Sequence, residues 1–334
     1  VISGLVELTF VIGGVTWFAS CDRSSSSSGP SATPQVPSTS KVIYIYDRDS
    51  REITSLAWSP NGKYIASGSA DKTVQVWEAA TGHPIYTYKD HSDQIWSVAW
   101  SPDSKRIASA SWDQTVRVWN ALDGSNALTY KGHSDKVTSV TWSPDGKQIA
   151  SGSWDKTVQV WNATDGSHVL TYKGHSAIVN SVAWSPDSKR IASGAEDYTV
   201  QVWNATDGSN AYPYKGHLDV IWSVAWSPDS KRIASGSQDN TVQIWNAADG
   251  SNASTYRGHT EVVDSVAWSP DGKRIASGSQ DSTVQIWNAA DGSNVSTYKG
   301  HADTVFSAIW SPDGKRIASG SADKTVRVWE ASFF

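Results

Sequence analysis

Apolar and polar positions change over in short runs along most of the chain, and turn residues cut the runs at regular intervals. Between Gly132 and Gly174, Val137-Thr138-Ser139-Val140-Thr141-Trp142 is rich in β-branched residues and predicts a strand. Ser143-Pro144-Asp145-Gly146 then predicts a turn, because proline presets its own φ and glycine admits a positive one. A second strand is expected over Gln148 to Ser153 and a third over Thr157 to Trp161, with a tight turn at Trp154-Asp155-Lys156 between them. Asp165-Gly166 turns again, and His168 to Lys173 is the fourth strand. Four such strands form one twisted antiparallel sheet that is too small to stand alone.

The pattern returns every 42 residues. Its aspartate recurs as Asp71, Asp113, Asp155, Asp197, Asp239, Asp281 and Asp323, and its tryptophan as Trp77, Trp119, Trp161, Trp203, Trp245, Trp287 and Trp329. A fixed period of this length marks an architecture in which each unit buries its apolar surface against the next. Residues 41–334 therefore form one closed, all-β unit.

Gly-His before the first strand, Asp in the turn between the second and third, and Trp closing the third resemble the WD-repeat family over residues 41–334, with Trp-Asn or Trp-Glu in place of the name-giving Trp-Asp. The resemblance implies a seven-bladed β-propeller, each repeat one radial blade. Residues 301–334 end on a third strand, so Val42-Ile43-Tyr44-Ile45-Tyr46, within 41–48, is expected to supply the outer strand of the last blade and close the ring. Pro213, which has no N–H to donate, falls in an outer strand with a free edge.

The family's buried tetrad maps onto His133, Ser151, Asp155 and Trp161. Ser, His and Asp in contact also suit a hydrolase, but six repeats hold the full set and an enzyme needs one. The structural reading, in which imidazole satisfies buried polar groups, is favoured. The first repeat has Arg48-Asp49 in place of Gly-His, so its tetrad is broken.

Before the repeats, Val1 to Ser20 is apolar apart from Glu7 and small polar residues, long enough to span a bilayer as a helix. Residues 1–21 are read as an apolar helix and 22–40 as a Ser/Pro-rich linker. Three readings stay open. The helix is a membrane or signal anchor; or Phe18-Ala19-Ser20-Cys21 resembles a lipoprotein box with Cys21 lipidated; or Leu5-Val6-Glu7-Leu8-Thr9-Phe10-Val11-Ile12 resembles the type IV pilin N-terminus. The last implies self-association through residues 1–20, with Glu7 neutralising a neighbour's amino terminus. A cell surface or an extracellular filament is the expected location, with membrane anchoring as the alternative and membrane contact at least during biogenesis.

Charge narrows the partners. The net charge is −5, and Lys-Arg pairs such as Lys105-Arg106 are spread one per repeat, so no basic footprint for nucleic acid forms. A single cysteine allows no intrachain disulfide. Outside the repeat histidines only His83 and His168 remain, so no metal site is expected, and no phosphate loop or dinucleotide fingerprint implies a cofactor.

Subtracting the repeat and Trp17 leaves Trp96, Trp112, Trp154 and Trp222. Trp96 and Trp222 follow the repeat histidine by five residues, and Trp112 and Trp154 precede the turn aspartate. In the family both positions lie on the narrow top face. Asn180 and Phe306 hold equivalents of Trp96, and Glu196, Gln238 and Gln280 equivalents of Trp112. The indoles either pack against the adjacent blade or form a recognition patch for a protein, a peptide or a glycan. Glycosylation sequons recur at Asn162, Asn204, Asn252 and Asn294. The expectation is a non-enzymatic scaffold displayed as a surface or filament subunit; the alternative is an interaction module of a membrane-anchored receptor, kinase or lipoprotein.

Overall fold

The structure, a computed structural model, describes residues 41–331. The expectations for the apolar helix, the linker, Glu7 and Cys21 lie outside the described residues.

Twenty-eight described strands form seven four-stranded antiparallel sheets. In the third blade the strands run Val137–Trp142, Gln148–Ser153, Val158–Asn162 and His168–Tyr172, each paired with the one before. The inner strand of the first blade, Ile53–Trp58, lies beside those of the second, Ile95–Trp100, and the seventh, Val305–Trp310, so the ring is closed. The seventh blade is composite: Val42–Tyr46 pairs antiparallel with Val326–Glu330, with Tyr46 opposite Val326. Tyr212–Tyr214, containing Pro213, is the outer strand of the fourth blade and pairs on one side.

The core is divided among the gaps between blades. One cluster joins Ala108, Val116 and Val118 of the second blade to Val137, Trp142 and Trp161 of the third; another joins Val326 and Val328 of the seventh to Ile53 and Trp77 of the first. A blade is thus covered on both faces, which is why Gln148–Ser153 is buried at every position after Gln148 instead of at alternate ones. The small residues there let sheets approach. A Cβ built on Gly194 would stand 2.5 Å from Ile221 Cγ2, so glycine suits the contact with the next blade here, whereas the second blade carries Ala110 at the equivalent place, packed with Val137 and Val140.

At the outer rim, a tyrosine ending each blade stacks on the buried repeat tryptophan of the next. Tyr130 lies 4.7 Å from Trp161 and Tyr214 lies 4.1 Å from Trp245, near parallel. Tyr46 from the closing strand does the same to Trp77. The Tyr130 hydroxyl also donates to Gln159 Oε1 at 2.6 Å. The turns hold the expected left-handed residues, Gly146 at φ 72° and Gly166 at 73°. A non-glycine left-handed residue follows the turn aspartate as well, Lys156 at φ 69°, which the sequence pattern does not signal.

Candidate functional site

Antiparallel alternation puts the loops entering the inner strands and the turns between second and third strands at one end of the ring. Both families of candidate residues lie there.

His133 Nδ1 is 2.8 Å from Asp155 Oδ2 and Nε2 is 2.9 Å from Ser151 Oγ. The five equivalents repeat these contacts within 2.8–2.9 Å. The carboxylate fixes Nδ1–H as the donor, which leaves Nε2 to accept from the serine hydroxyl. Asp155 also accepts from the Thr157 amide at 3.0 Å and the Ser134 amide at 3.1 Å. Burial pushes its carboxyl up, but the hydrogen bond and charge of His133, with Thr157 and Ser134, outweigh burial and hold it at about 2.

Trp119, Trp203, Trp245, Trp287 and Trp329 add an indole N–H to the serine oxygen at 3.3–3.4 Å. Trp161 Nε1 is sealed without a partner, so the tetrad assigned to the third blade is a hydrogen-bonded triad with a packed indole. Ser151 has no exposed surface. A nucleophile must meet its substrate, and this hydroxyl meets only protein. The network is joinery between loop, turn and strand.

The first blade lacks it. Asp49 replaces the histidine, is 5% exposed, and takes the Gln75 amide on Oδ1 at 2.7 Å. Its Oδ2, the Ser67 hydroxyl and the Trp77 indole N–H are all buried without partners. A carboxylate is shorter than imidazole and offers no second ring nitrogen. Burial raises its pKa to about 7, with Asp71 adding to the rise and the Gln75 bond opposing it.

Beyond the joinery lie the variable positions. Trp96 and Trp112 stack at 5.0 Å, and Trp112 and Trp154, on successive blades, are 5.8 Å apart at 59°. Lys136 enters between the last two, its Nζ 3.9 Å from the Trp112 ring centre and 4.1 Å from that of Trp154. All three indoles are half-buried, so they form an interlocked stack partly covered by protein. Trp222 stands apart on the fifth blade, half-buried, with Nε1 sealed. Asn180 is buried and donates to Ile221 O of the next blade at 3.1 Å, while Phe306 and Gln238 are half-buried and Gln280 is exposed. Glu196 is half-buried, and burial raises its pKa.

Lys136, Leu218 (85% exposed) and Asp264 are top-face residues that the sequence reading did not single out. Each departs from its repeat equivalents, the signal that found the tryptophans. The sequon asparagines lie at the opposite end, Asn162 and Asn204 ending third strands and Asn252 and Asn294 exposed before outer strands. Among the described residues no group of three His, Cys, Asp or Glu side chains is arranged to hold a metal.

The profile of the WD domain, G-beta repeat, matches residues 40–78, 82–120, 124–162, 166–204, 208–246, 250–288 and 292–330. Protein Mut11 of Chlamydomonas reinhardtii is 38% identical over 53 residues, 16% of this chain and 14% of that protein.

Proposed function

The chain belongs to the WD-repeat family, and from that premise we propose that it is a protein-interaction scaffold whose recognition surface is the top face over blades two and three. The carrying observation is the stack of Trp96, Trp112, Lys136 and Trp154, built at positions where the seven repeats disagree. Aromatic residues concentrate binding energy when desolvated by a partner.

A peptide or protein suits the stack better than a sugar. Trp112 is stacked against Trp96 and has Lys136 standing over its ring, which leaves little of its indole face free for a pyranose. Asp93, Asp135, Asp219, Glu261 and Asp303, on the loops into five inner strands, favour a partner segment bearing lysine or arginine. Cross-linking of partners to the full chain tests this. Trp96→Ala and Trp154→Ala should each abolish a partner's recovery while far-UV dichroism stays unchanged; undiminished recovery by both variants refutes the assignment.

The proposal extends to display at a cell surface or along a filament from residues 1–21, supported by the stretch Leu5 to Ile12, apolar apart from Glu7 and Thr9. Among the described residues no helix is long and apolar enough to cross a membrane. Fractionation of cells making the full chain and a chain starting at residue 41 checks this: the first should sediment with membranes or filaments and the second should not.

A further inference from the structure

The second residue of the inner strand lies on the top face, and in some blades its side chain reaches the neighbouring blade. In three blades it is a hydrogen-bond donor. Thr54 Oγ1 donates to Ile95 O at 2.7 Å and to Gly68 O at 3.0 Å. Thr138 Oγ1 repeats this with Val179 O and Gly152 O, and Asn180 Nδ2 reaches Ile221 O. In every case the acceptor on the next blade lies 41 residues onward.

In the sixth blade this position is Asp264, on the inner strand Val263–Trp268. By the spacing of 14 and 41 residues that Thr54 and Thr138 show, the corresponding carbonyls are those of Gly278 and Val305. An ionised carboxylate has no hydrogen to give them. Its Oδ2 is sealed from solvent and has no hydrogen-bond partner. A partner's ammonium or guanidinium cannot reach a sealed oxygen, whereas a proton can reside on it.

We propose that Asp264 is protonated at neutral pH and clasps the sixth and seventh blades by donating to Val305 O, so that its deprotonation releases a strut under the top face. The clasp does the work of Thr54, Thr138 and Asn180 with a group that can be switched off.

The electrostatic setting agrees. Asp264 as a whole is half-buried while its Oδ2 is sealed, and this burial raises its pKa to about 8, with only a hydrogen bond from Gln280 opposing it. The titratable groups on adjoining elements are Asp219 before the fifth inner strand, Glu261 before the sixth, Asp303 before the seventh, and the His259–Asp281 pair in the sixth blade. None of these contributes to the shift. The folded pKa is raised, so the clasp stays closed until pH nears about 8, while the stability it contributes is complete below the unfolded value near 4 and is lost as pH rises from there through about 8.

The test compares the full wild-type chain with Asp264→Asn, which keeps a donor as Asn180 does, and Asp264→Thr, which copies Thr54. Urea unfolding is followed from pH 5 to 9.5. The unfolding constant of the wild type, relative to either variant, should rise by up to about tenfold for each pH unit until about 8, one proton being released per unfolding event. Carboxyl carbon NMR of the wild type, its Asp264 signal assigned by loss in Asp264→Asn, gives a reading that does not depend on either variant's stability. A titration near pH 4, or a wild-type-to-variant ratio constant across the range, overturns the proposal.

Discussion

The Tyr46 ring lies 5.0 Å from the Trp77 ring and within 8° of parallel, two residues from the seventh and first blades locked face to face. This is the stack made by Tyr88 on Trp119 and by Tyr298 on Trp329. The closing strand therefore completes the last blade in kind as well as in number, and its hydroxyl donates to Gln75 Oε1 at 2.5 Å.

Tyr46→Ala should destabilise the propeller by about 3 to 5 kcal/mol, as for other large buried aromatics. Tyr46→Phe keeps the ring and leaves Gln75 Oε1 unpaired, a cost of about 1 to 3 kcal/mol. Urea midpoints measure both. Equal losses would show that the hydroxyl, not the stack, closes the ring.

Asp49→His should rebuild the joinery of the first blade and raise stability by about 1 to 3 kcal/mol, the usual cost of an orphaned buried polar group. The pH dependence gives a second readout. Asp49 titrates at about 7 in the fold, above its unfolded value near 4, so the wild type loses stability as pH climbs through that window. Thermal melts at pH 5 and pH 8 should show the variant's advantage growing with pH.

His133→Ala acts in the opposite pH range. Asp155 is held at about 2 in the fold, so its stabilisation is present above about 4 and disappears as pH falls toward 2. Removing the imidazole leaves Ser151 unpaired and takes one hydrogen bond from Asp155, which keeps those from Ser134 and Thr157, costing about 1 to 3 kcal/mol. The acid-unfolding midpoint, read by tryptophan fluorescence, should move to higher pH.

Gly194→Ala should cost roughly 1 to 3 kcal/mol by overpacking, because its Cβ would fall 2.5 Å from Ile221 Cγ2 and 2.9 Å from Val224 Cγ1. Gly194→Ala with Ile221→Val should recover part of the loss in calorimetry. No recovery would place the strain elsewhere.

The fold is legible in the sequence because one local pattern is written seven times, and repetition fixes the period, the blade and the closure at Val42–Tyr46 without long-range inference. The joinery is legible for the same reason. What the pattern cannot convey is how side chains at variable positions meet across blades. Trp112 and Trp154 are read as separate indoles, yet Lys136 binds them into one body. Asp264 reads as one more acidic residue until its Oδ2 is seen to be sealed without a partner. Trp161 fits the tetrad by spacing, while its indole nitrogen stands unpaired. Spacing assigns a residue to a place; only packing decides its partners.

The seam between Val42–Tyr46 and Val326–Glu330 also governs how the ring answers to force. The two strands are antiparallel, and Val42 pairs with Trp329 at the end where one strand enters and the other leaves. Tension applied across residues 42 and 330 loads that pair first, then the next, one rung at a time. The seam peels like a zipper and does not shear as a whole, so the propeller yields at its latch under modest load while the other six blades, each continuous in the chain, hold.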